Sequence, residues 1–330
     1  MTNAWTGGQY SLVRAIVGLY FFVHFIAGDL ATPVLVVAAI AAVCFAIGWH
    51  DRVAAIVMAC VLVWLFGRNP PAANPLLLVA GGLLIVHACL PRAPFLSVDA
   101  RGRVDPRGGW SMPPPLFAAM WIVMSIGYGY SAWTMLISPS RTGVDLGFGL
   151  ALLLAPLALV RRVRPWLWLA MLALHLGLML LIDFADLSLM MVIVHLFTFD
   201  PAWVPRRLPE TTDLVLYDGT CGLCHRGMRW LIAEDATGTS FRYAALETER
   251  PDSVIVKTQA GEVLMRSAAS MHLLARLGGL WRVIGVLFGL LPRRVRDAMY
   301  DFVARIRYRI FGRTKDACPL IPPDLRTRFE

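Results

Sequence analysis

Two cysteines separated by two residues, Cys221 and Cys224, are the part of this sequence best suited to chemistry. They follow the short apolar run 214–217, which is typical of a buried strand, and precede residues 226–232, which have helical spacing. At the start of a helix, unpaired N–H groups and the helix dipole stabilise a thiolate and lower the pKa of the first cysteine below about 8.5. The two-residue spacer lets Cys224 resolve a mixed disulfide formed on Cys221. The spacing therefore predicts a thiol–disulfide exchange site.

The position of each residue around the pair suggests a role. Cys221, nearest the helix start, is expected to be the more exposed cysteine and to attack as the thiolate. Cys224, one turn deeper, is expected to resolve the intermediate. Asp218 lies close enough to assist proton transfer, and turn formation is the alternative role. His225 is expected to tune the thiolate when the imidazole is protonated.

Two residues further along the chain are auxiliary candidates. Pro251 lies roughly where a cis-proline would face the site, and simple turn formation is the alternative. Cys318, in the basic tail, is a candidate third redox cysteine that passes the disulfide to or from the first pair. A free structural cysteine is the alternative there.

Other interpretations of the pair stay open. Followed by His225, it fits the C-x-x-C-H haem attachment motif, although covalent haem attachment needs an oxidising compartment. A zinc site needs two more ligands, and His225, His272 and Cys318 lack paired spacing, so no metal is expected. A degenerate domain that only binds a partner is the third alternative.

Composition divides the chain into two parts. The sequence of 330 residues is 58% apolar and 16% charged, with long apolar runs up to about Asp200 and an Arg-rich polar stretch from Arg206. We expect an all-α multi-span membrane helix bundle (1–204) followed by an α/β thioredoxin-like domain (205–330). Nearly all of the +9 net charge is arginine, which suits an anionic membrane surface, and no nucleic-acid motif is present.

The membrane prediction rests on runs that approach the roughly 17–25 residues needed to cross a bilayer. Ten arginines occupy alternate loops and two occupy the intervening ones. This bias predicts that both termini and the cysteine pair lie in the cytoplasm, at the inner membrane of a bacterium. The eight candidate spans are 11–28, 31–48, 53–67, 75–91, 114–136, 145–160, 165–182 and 186–200.

His175 and His195 lie on successive apolar segments joined by a short acidic turn, and they are candidates to line a quinone-sized or metal-sized cavity. Residues 180–203 (LLIDFADLSLMMVIVHLFTFDPAW) resemble the end of the membrane module of the HTTM and vitamin K-dependent γ-carboxylase-like families. The first four segments also resemble DoxX-type membrane proteins. No lysine precedes Lys257, so the carboxylase reaction is not expected.

The C-terminal part resembles the DCC family of thiol–disulfide oxidoreductases, whose D-x-x-C-x-x-C signature is matched by Asp218, Cys221 and Cys224. The resemblance covers about 115 residues through YDGTCGLCHRGMRWLIAED, FRYAAL, PDSVIV, RSAASMHLLARLGGLWRVI and YDFVARIRYRIFGRTKDAC. It implies dithiol–disulfide exchange without a cofactor at the dithiol site. The implied partner is a protein or small-molecule thiol or disulfide.

The coarse element pattern agrees with that resemblance. Residues 241–246, 254–257 and 262–266 are β-type runs, and Ser267 is a candidate N-cap for a helix over 268–277. Residues 293–309 form a basic helix that either lies on the inner leaflet of the bilayer or packs on the redox core. Fusion to apolar segments suggests electron exchange with a membrane-held quinone. A transporter or anchor regulated by the thiols is the alternative function.

Overall fold

The computed structural model describes residues 3–28, 32–68, 76–137, 157–158, 160–181, 185–207, 210–235, 237–246, 253–313 and 323–329. Up to His195 the described chain forms seven helices that pack mainly against their sequence neighbours. These helices are α1 (Gly7–Ile26), α2 (Pro33–Ile47), α3 (Asp51–Arg68), α4 (Leu76–Ala88), α5 (Pro114–Ile137), α6 (Arg164–Leu181) and α7 (Ala185–His195).

Local chemistry sets the ends of the first helices. The Thr6 hydroxyl accepts a hydrogen bond from the backbone N–H of Gln9 and caps α1. Gly48 adopts φ +70° and ends α2 in the left-handed conformation that glycine tolerates best. A Cβ on Gly18 would lie 2.7 Å from the backbone nitrogen of Ala46, so glycine allows α1 and α2 to approach closely.

The interior of these helices contains a polar network as well as an apolar core. Arg14 and Asp51 form a buried ion pair at 3.0 Å. His87 lies 3.7 Å from Asp51 through Nε2, and its Nδ1 lies 2.6 Å from the Tyr10 hydroxyl. Charges buried in this way require partners, and each charged group here has one. The apolar core around the network includes Val17, Phe21, Phe45, Met58, Leu83, Met120, Met171 and Phe197.

The expected multi-span membrane bundle is wrong. The protein is mostly helical with one small mixed sheet, and among its described residues one helix, α1, is long and apolar enough to cross a membrane. Half of that helix is buried inside the protein. Helices α2, α4 and α7 have 15, 13 and 11 residues, fewer than the roughly 17–25 needed to span a bilayer. The candidate span 145–160 lies almost entirely outside the described residues.

The C-terminal part is built around a four-stranded mixed sheet in the order β2-β1-β3-β4. Strand β1 pairs in parallel with β2 and antiparallel with β3, which pairs antiparallel with β4. The parallel pair is joined by the helix that starts at the cysteines, as a crossover connection requires. The strands are β1 (Asp213–Asp218), β2 (Phe241–Leu246), β3 (Ile255–Lys257) and β4 (Val263–Met265).

Helices complete this part, and its buried core lies between them and the sheet. The order of strand, cysteine helix, strands and helix agrees with the element pattern expected from the sequence. Ser267 is not the N-cap, because the next helix begins at Arg266, and the Ser267 hydroxyl donates to Asp297 instead. The helices are α8 (Gly222–Glu234), α9 (Arg266–Leu277), α10 (Gly279–Gly289), α11 (Arg293–Phe311) and α12 (Pro323–Arg326).

A buried carboxylate joins the two parts of the chain. Glu234, the last residue of α8, is fully buried and accepts hydrogen bonds from the Gly8 N–H at 2.8 Å and the Trp281 indole at 2.7 Å. The Thr6 hydroxyl donates to the same carboxylate. Oxygen acceptors at the start of α1 are favourable because the first N–H groups of a helix have no partners within it. One end of α8 therefore holds the start of α1, and the other end carries the cysteine pair.

Candidate functional site

The two cysteines lie at the start of α8, in the turn that follows β1. Cys221 is the N-cap residue with extended backbone (φ −94°), and α8 begins at Gly222. Its N–H lies 3.3 Å from the Asp218 carbonyl, which closes the turn between strand and helix. Both cysteines are free thiols. The side chain of Cys224 therefore lies next to that of Cys221 at the end of the helix where N–H groups are unpaired.

The pair has two very different acidities. The hydrogen bond from the Cys224 thiol lowers the pKa of Cys221 to about 6, against the effect of burial. The backbone N–H groups of Cys224 and Leu223 and the charge on Arg307 act in the same direction. The hydrogen bond to Cys221, together with burial, raises the pKa of Cys224 far above its ordinary value. At neutral pH these acidities favour the thiolate form of Cys221 and the protonated form of Cys224.

The expectation that Cys221 is the more exposed cysteine is wrong. Cys221 is 0% exposed and Cys224 is 9% exposed. The chain just after α11 covers the attacking residue: Arg313 forms a β-bridge with Cys221, and Gly222 donates to the Gly312 carbonyl at 3.2 Å. The covering segment, residues 311–313, is thus the last residue of α11 and the two that follow it, and it lies over a fully buried Cys221.

Asp218 is held from two sides by hydrogen bonds. One carboxylate oxygen accepts from the Thr220 N–H and hydroxyl, both at 2.9 Å, which is the geometry of an Asx turn. The other oxygen accepts from Arg307 at 3.2 Å and from the Tyr308 hydroxyl. Burial alone would raise the pKa of Asp218, but these donors hold it below its ordinary value. The carboxylate is therefore ionised at neutral pH beside the two thiols.

Arg307 and Tyr308 complete the site, and sequence reasoning missed both. Arg307 is buried and forms an ion pair with Asp218 at 3.2 Å, although 89 positions separate the two residues. Within the amphipathic helix α11, Arg307 was one of many arginines, and nothing in the spacing distinguished it.

The site also contains a set of atoms that resembles a metal-ligand group. A carboxylate oxygen of Asp218 and the sulfurs of Cys221 and Cys224 all lie within 4.8 Å of one another. Arg307 already donates to that carboxylate, and its positive charge disfavours a cation and favours a thiolate. The arrangement therefore fits a dithiol better than a metal centre.

His225 faces the turn that precedes the pair. Its Nε2 lies 2.7 Å from the Gly219 carbonyl, and its ring contacts Tyr217 edge to face. The N–H at Nε2 thus holds the loop between β1 and α8. A haem ligand role would require the ring nitrogen to leave this carbonyl. The thiolate-tuning role of His225 stays a prediction.

The structure brings some of the other candidate residues together elsewhere. His175 and His195 meet at the Tyr128 hydroxyl, with Nε2 distances of 2.7 and 3.0 Å. His272 pairs with Asp213 at 2.8 Å, at the opposite end of β1 from the cysteines, so it is not a zinc ligand with them. Pro251 and Cys318 lie outside the described residues, and their proposed roles stay predictions.

Comparison with known proteins identifies the C-terminal part. Residues 215–313 match the family described as DCC1-like thiol-disulfide oxidoreductase. The uncharacterized protein YuxK of Bacillus subtilis (strain 168) is 32% identical over 129 residues, which is 35% of this chain and 92% of YuxK. The chloroplastic DCC family protein At1g52590 of Arabidopsis thaliana is 28% identical over 124 residues, 34% of this chain and 71% of that protein. No solved structure matches.

These matches confirm the resemblance stated for the C-terminal part of the sequence. They cover about a third of the chain, and the family match begins in β1, well after the seven N-terminal helices. The resemblance of the N-terminal part to the HTTM, carboxylase-like and DoxX families finds no support in them and stays a prediction.

Proposed function

The chain belongs to the DCC1-like thiol-disulfide oxidoreductase family, and we propose that Cys221 and Cys224 are the pair that carries out its exchange reaction. The observation that carries this proposal is the asymmetry of the two thiols: the pKa of Cys221 is lowered to about 6, whereas that of Cys224 is raised. A thiolate attacks disulfides, and a neighbouring thiol that keeps its proton does not compete with it.

The exchange proceeds in two steps. The Cys221 thiolate attacks one sulfur of a disulfide R–S–S–R′, forms a bond to RS, and expels R′S⁻. Cys224 then loses its proton and attacks the Cys221 sulfur, which releases RS⁻ and leaves a disulfide between the two cysteines. The substrate gains two electrons and the pair loses two. A second dithiol, or two molecules of a small thiol such as glutathione, returns the pair to its reduced form.

The proton that Cys224 loses in the second step goes to the expelled thiolate R′S⁻, and Asp218 holds the groups around the pair in place. Its ionised carboxylate lies within 4.8 Å of both sulfurs, whereas the bonds from Thr220, Arg307 and Tyr308 fix its position. Once Cys221 is in a mixed disulfide, its negative charge is gone and the pKa of Cys224 falls. The positive charge of Arg307 favours the thiolate form of Cys224 as well, and it supports the attack of Cys224 on the Cys221 sulfur.

We place this activity at the cytoplasmic face of a bacterial inner membrane. The excess of arginine suits an anionic membrane surface, and the reducing cytoplasm supplies thiols that keep the pair reduced at rest. The substrate class is a protein or small-molecule disulfide, and the dithiol site needs no cofactor.

A quinone is the second candidate electron partner. Tyr128, His175 and His195 form a buried hydroxyl–imidazole group, and such groups bond the oxygens of quinones. His195 Nδ1 lies 2.7 Å from the Met191 carbonyl and so carries its proton there, which leaves Nε2 to accept from Tyr128. In this scheme a quinol gives two electrons and two protons to the disulfide. Purified protein that fails to oxidise any quinol analogue while thiol exchange persists contradicts it.

The exchange proposal is tested by labelling thiols with maleimide–polyethylene glycol across a series of glutathione redox buffers. We expect two cysteines of the full chain to become protected together at one potential. Cys224→Ser traps a mixed disulfide with glutathione, and Cys221→Ser forms none at this site. Cys89→Ser is the matched control, because Cys89 is exposed and lies outside the site. If Cys224→Ser and Cys221→Ser trap glutathione equally, the roles assigned here are wrong.

A further inference from the structure

The corner between α10 and α11 exposes an uninterrupted apolar run. Residues 286–295 are all exposed, and the first six include five large apolar side chains; Leu290 is 78% exposed. A helix packed on a core exposes one polar face, so apolar residues that point outward in consecutive positions do not serve the fold. Such a patch marks an interaction surface. The five side chains are Val286, Leu287, Phe288, Leu290 and Leu291.

The apolar surface continues along α11 as a stripe. Val295, Met299, Phe302, Val303 and Ile310 are exposed, and their spacing places them within an arc of roughly 100° on the helix. The opposite side of α11 packs on the redox core, where Arg307 and Tyr308 reach Asp218. In most surface helices the apolar side packs on the core, but in α11 the most apolar side faces outward.

Exposed arginines flank this apolar surface. Arg293 and Arg294 follow the corner directly, and Arg305 and Arg309 are exposed along the edge of the stripe. An apolar helix face bordered by arginines is the pattern of helices that lie in the interface of an anionic membrane. Each arginine near such a surface strengthens binding by roughly fivefold.

We propose that this docking surface, formed by residues 286–295 and the stripe Met299, Phe302, Val303 and Ile310, binds an anionic lipid bilayer. Charge complementarity selects the bilayer, because phosphate headgroups satisfy the arginines while the acyl region takes the apolar side chains. The thiol pair on the other side of α11 then lies about one helix diameter, roughly 10 Å, from the lipid. Docking of this kind favours substrates held at the membrane surface.

Photocrosslinking of the full chain tests the proposal directly. Benzoylphenylalanine replaces Phe302 or Leu290, the protein is mixed with phosphatidylcholine vesicles with or without phosphatidylglycerol, and lipid adducts are counted by mass spectrometry. Val263 is the matched control, since Phe302 and Val263 are both 59% exposed and Val263 lies on β4, outside the docking surface. We expect lipid adducts at positions 302 and 290 with phosphatidylglycerol, and none at position 263.

A pair of charge variants tests the electrostatic half of the proposal. Arg305→Gln combined with Arg309→Gln is expected to lower the adduct yield at position 302 by roughly tenfold or more. Arg101→Gln combined with Arg326→Gln, two exposed arginines elsewhere, is expected to leave the yield unchanged. Each adduct forms at one known position, so lipid binding by other parts of the chain does not change the yield measured at position 302. The proposal is wrong if the yield of lipid adducts is the same with and without phosphatidylglycerol. It is also wrong if the crosslinks join two copies of the chain.

Discussion

A buried aspartate lies at each end of strand β1: Asp213 at the start and Asp218 at the end. The two carboxylates have similar hydrogen-bond partners but different neighbouring groups. Asp213 forms an ion pair with Arg276 at 2.9 Å and lies 2.8 Å from Nε2 of His272. Asp218, about 16 Å away along the strand, pairs with Arg307 at 3.2 Å and accepts a hydrogen bond from Tyr308. In both cases burial would raise the pKa of the carboxyl, and the donors hold it below its ordinary value.

The difference between the two ends is the pair of thiols. Arg276 also donates to the carbonyls of Arg207 and Ser240, so its charge serves the backbone around Asp213. Arg307 instead lies near Cys221 and Cys224, and its charge favours the Cys221 thiolate. The Asp213–Arg276 pair therefore stabilises the fold, whereas the Asp218–Arg307 pair also lowers the pKa of Cys221. Variants of the two arginines separate these roles.

The largest expected effect is the loss of stability in Arg276→Met. This change leaves the Asp213 charge buried with less compensation, so the free energy of unfolding should fall by about 3–5 kcal/mol. Denaturant unfolding measures it. The control is Arg266→Met, which breaks a partly exposed pair with Asp301 at 3.5 Å and should cost about 1 kcal/mol or less. Equal losses in the two variants contradict the structural role of Arg276.

The next effect is on thiol acidity. In Arg307→Met the positive charge near Cys221 is gone, so the pKa of Cys221 should rise above its value of about 6. The rate of iodoacetamide alkylation then has its midpoint at a higher pH than in the unmodified protein. Arg276→Met serves as the comparison and should keep the original midpoint. If the midpoint moves in both variants, or in neither, the claim that Arg307 and not Arg276 lowers the pKa of Cys221 is wrong.

A smaller effect concerns the segment that covers Cys221. A Cβ on Gly222 would lie 2.3 Å from the Phe311 carbonyl oxygen, so Gly222→Ala should displace residues 311–313. Alkylation of Cys221 at neutral pH should become several-fold faster, because opening the cover precedes reaction. Gly227→Ala, on the same helix with nothing within 4 Å of the added Cβ, is the control. Unchanged rates in Gly222→Ala show that the segment does not limit access.

The smallest effect is the pH dependence of Tyr308→Phe. Removing one donor to Asp218 should cost about 1 kcal/mol of stability at pH 7. Because the pKa of Asp218 is lowered in the folded protein, its contribution is present above the unfolded value and lost as the pH falls. The difference between variant and unmodified protein should therefore shrink below about pH 4. A difference that is constant with pH shows that Tyr308 acts independently of the carboxylate.

Much of the local structure was predictable from periodicity. The apolar runs 53–67 and 114–136 correspond to α3 (Asp51–Arg68) and α5 (Pro114–Ile137), and the run 241–246 is strand β2. Position after a strand and before a helix also located the cysteine pair. What hydropathy did not reveal is where each helix ends: the runs 31–48, 75–91 and 186–200 correspond to helices of 15, 13 and 11 residues, and this is why the membrane-bundle prediction was wrong.

The rest of the site depends on contacts that no local pattern encodes. Cys221 is covered by Gly312 and Arg313, nearly a hundred positions away, so its burial could not be read from its place at the helix start. Arg307 is one arginine among several on α11, and only the packing of that helix brings it to Asp218. Tertiary packing, and not propensity, decides both features.

The central claim is that Cys221 is the thiolate and Cys224 the proton-holding partner. The most direct measurement is the rate of iodoacetamide alkylation of the reduced full chain across the pH range, with the modified residue identified by mass spectrometry. We predict a midpoint at about pH 6 and adducts on Cys221, because hydrogen bonds from Cys224 and the backbone stabilise that thiolate. A midpoint near the ordinary thiol value of about 8.5, or adducts that form first on Cys224, contradicts the claim.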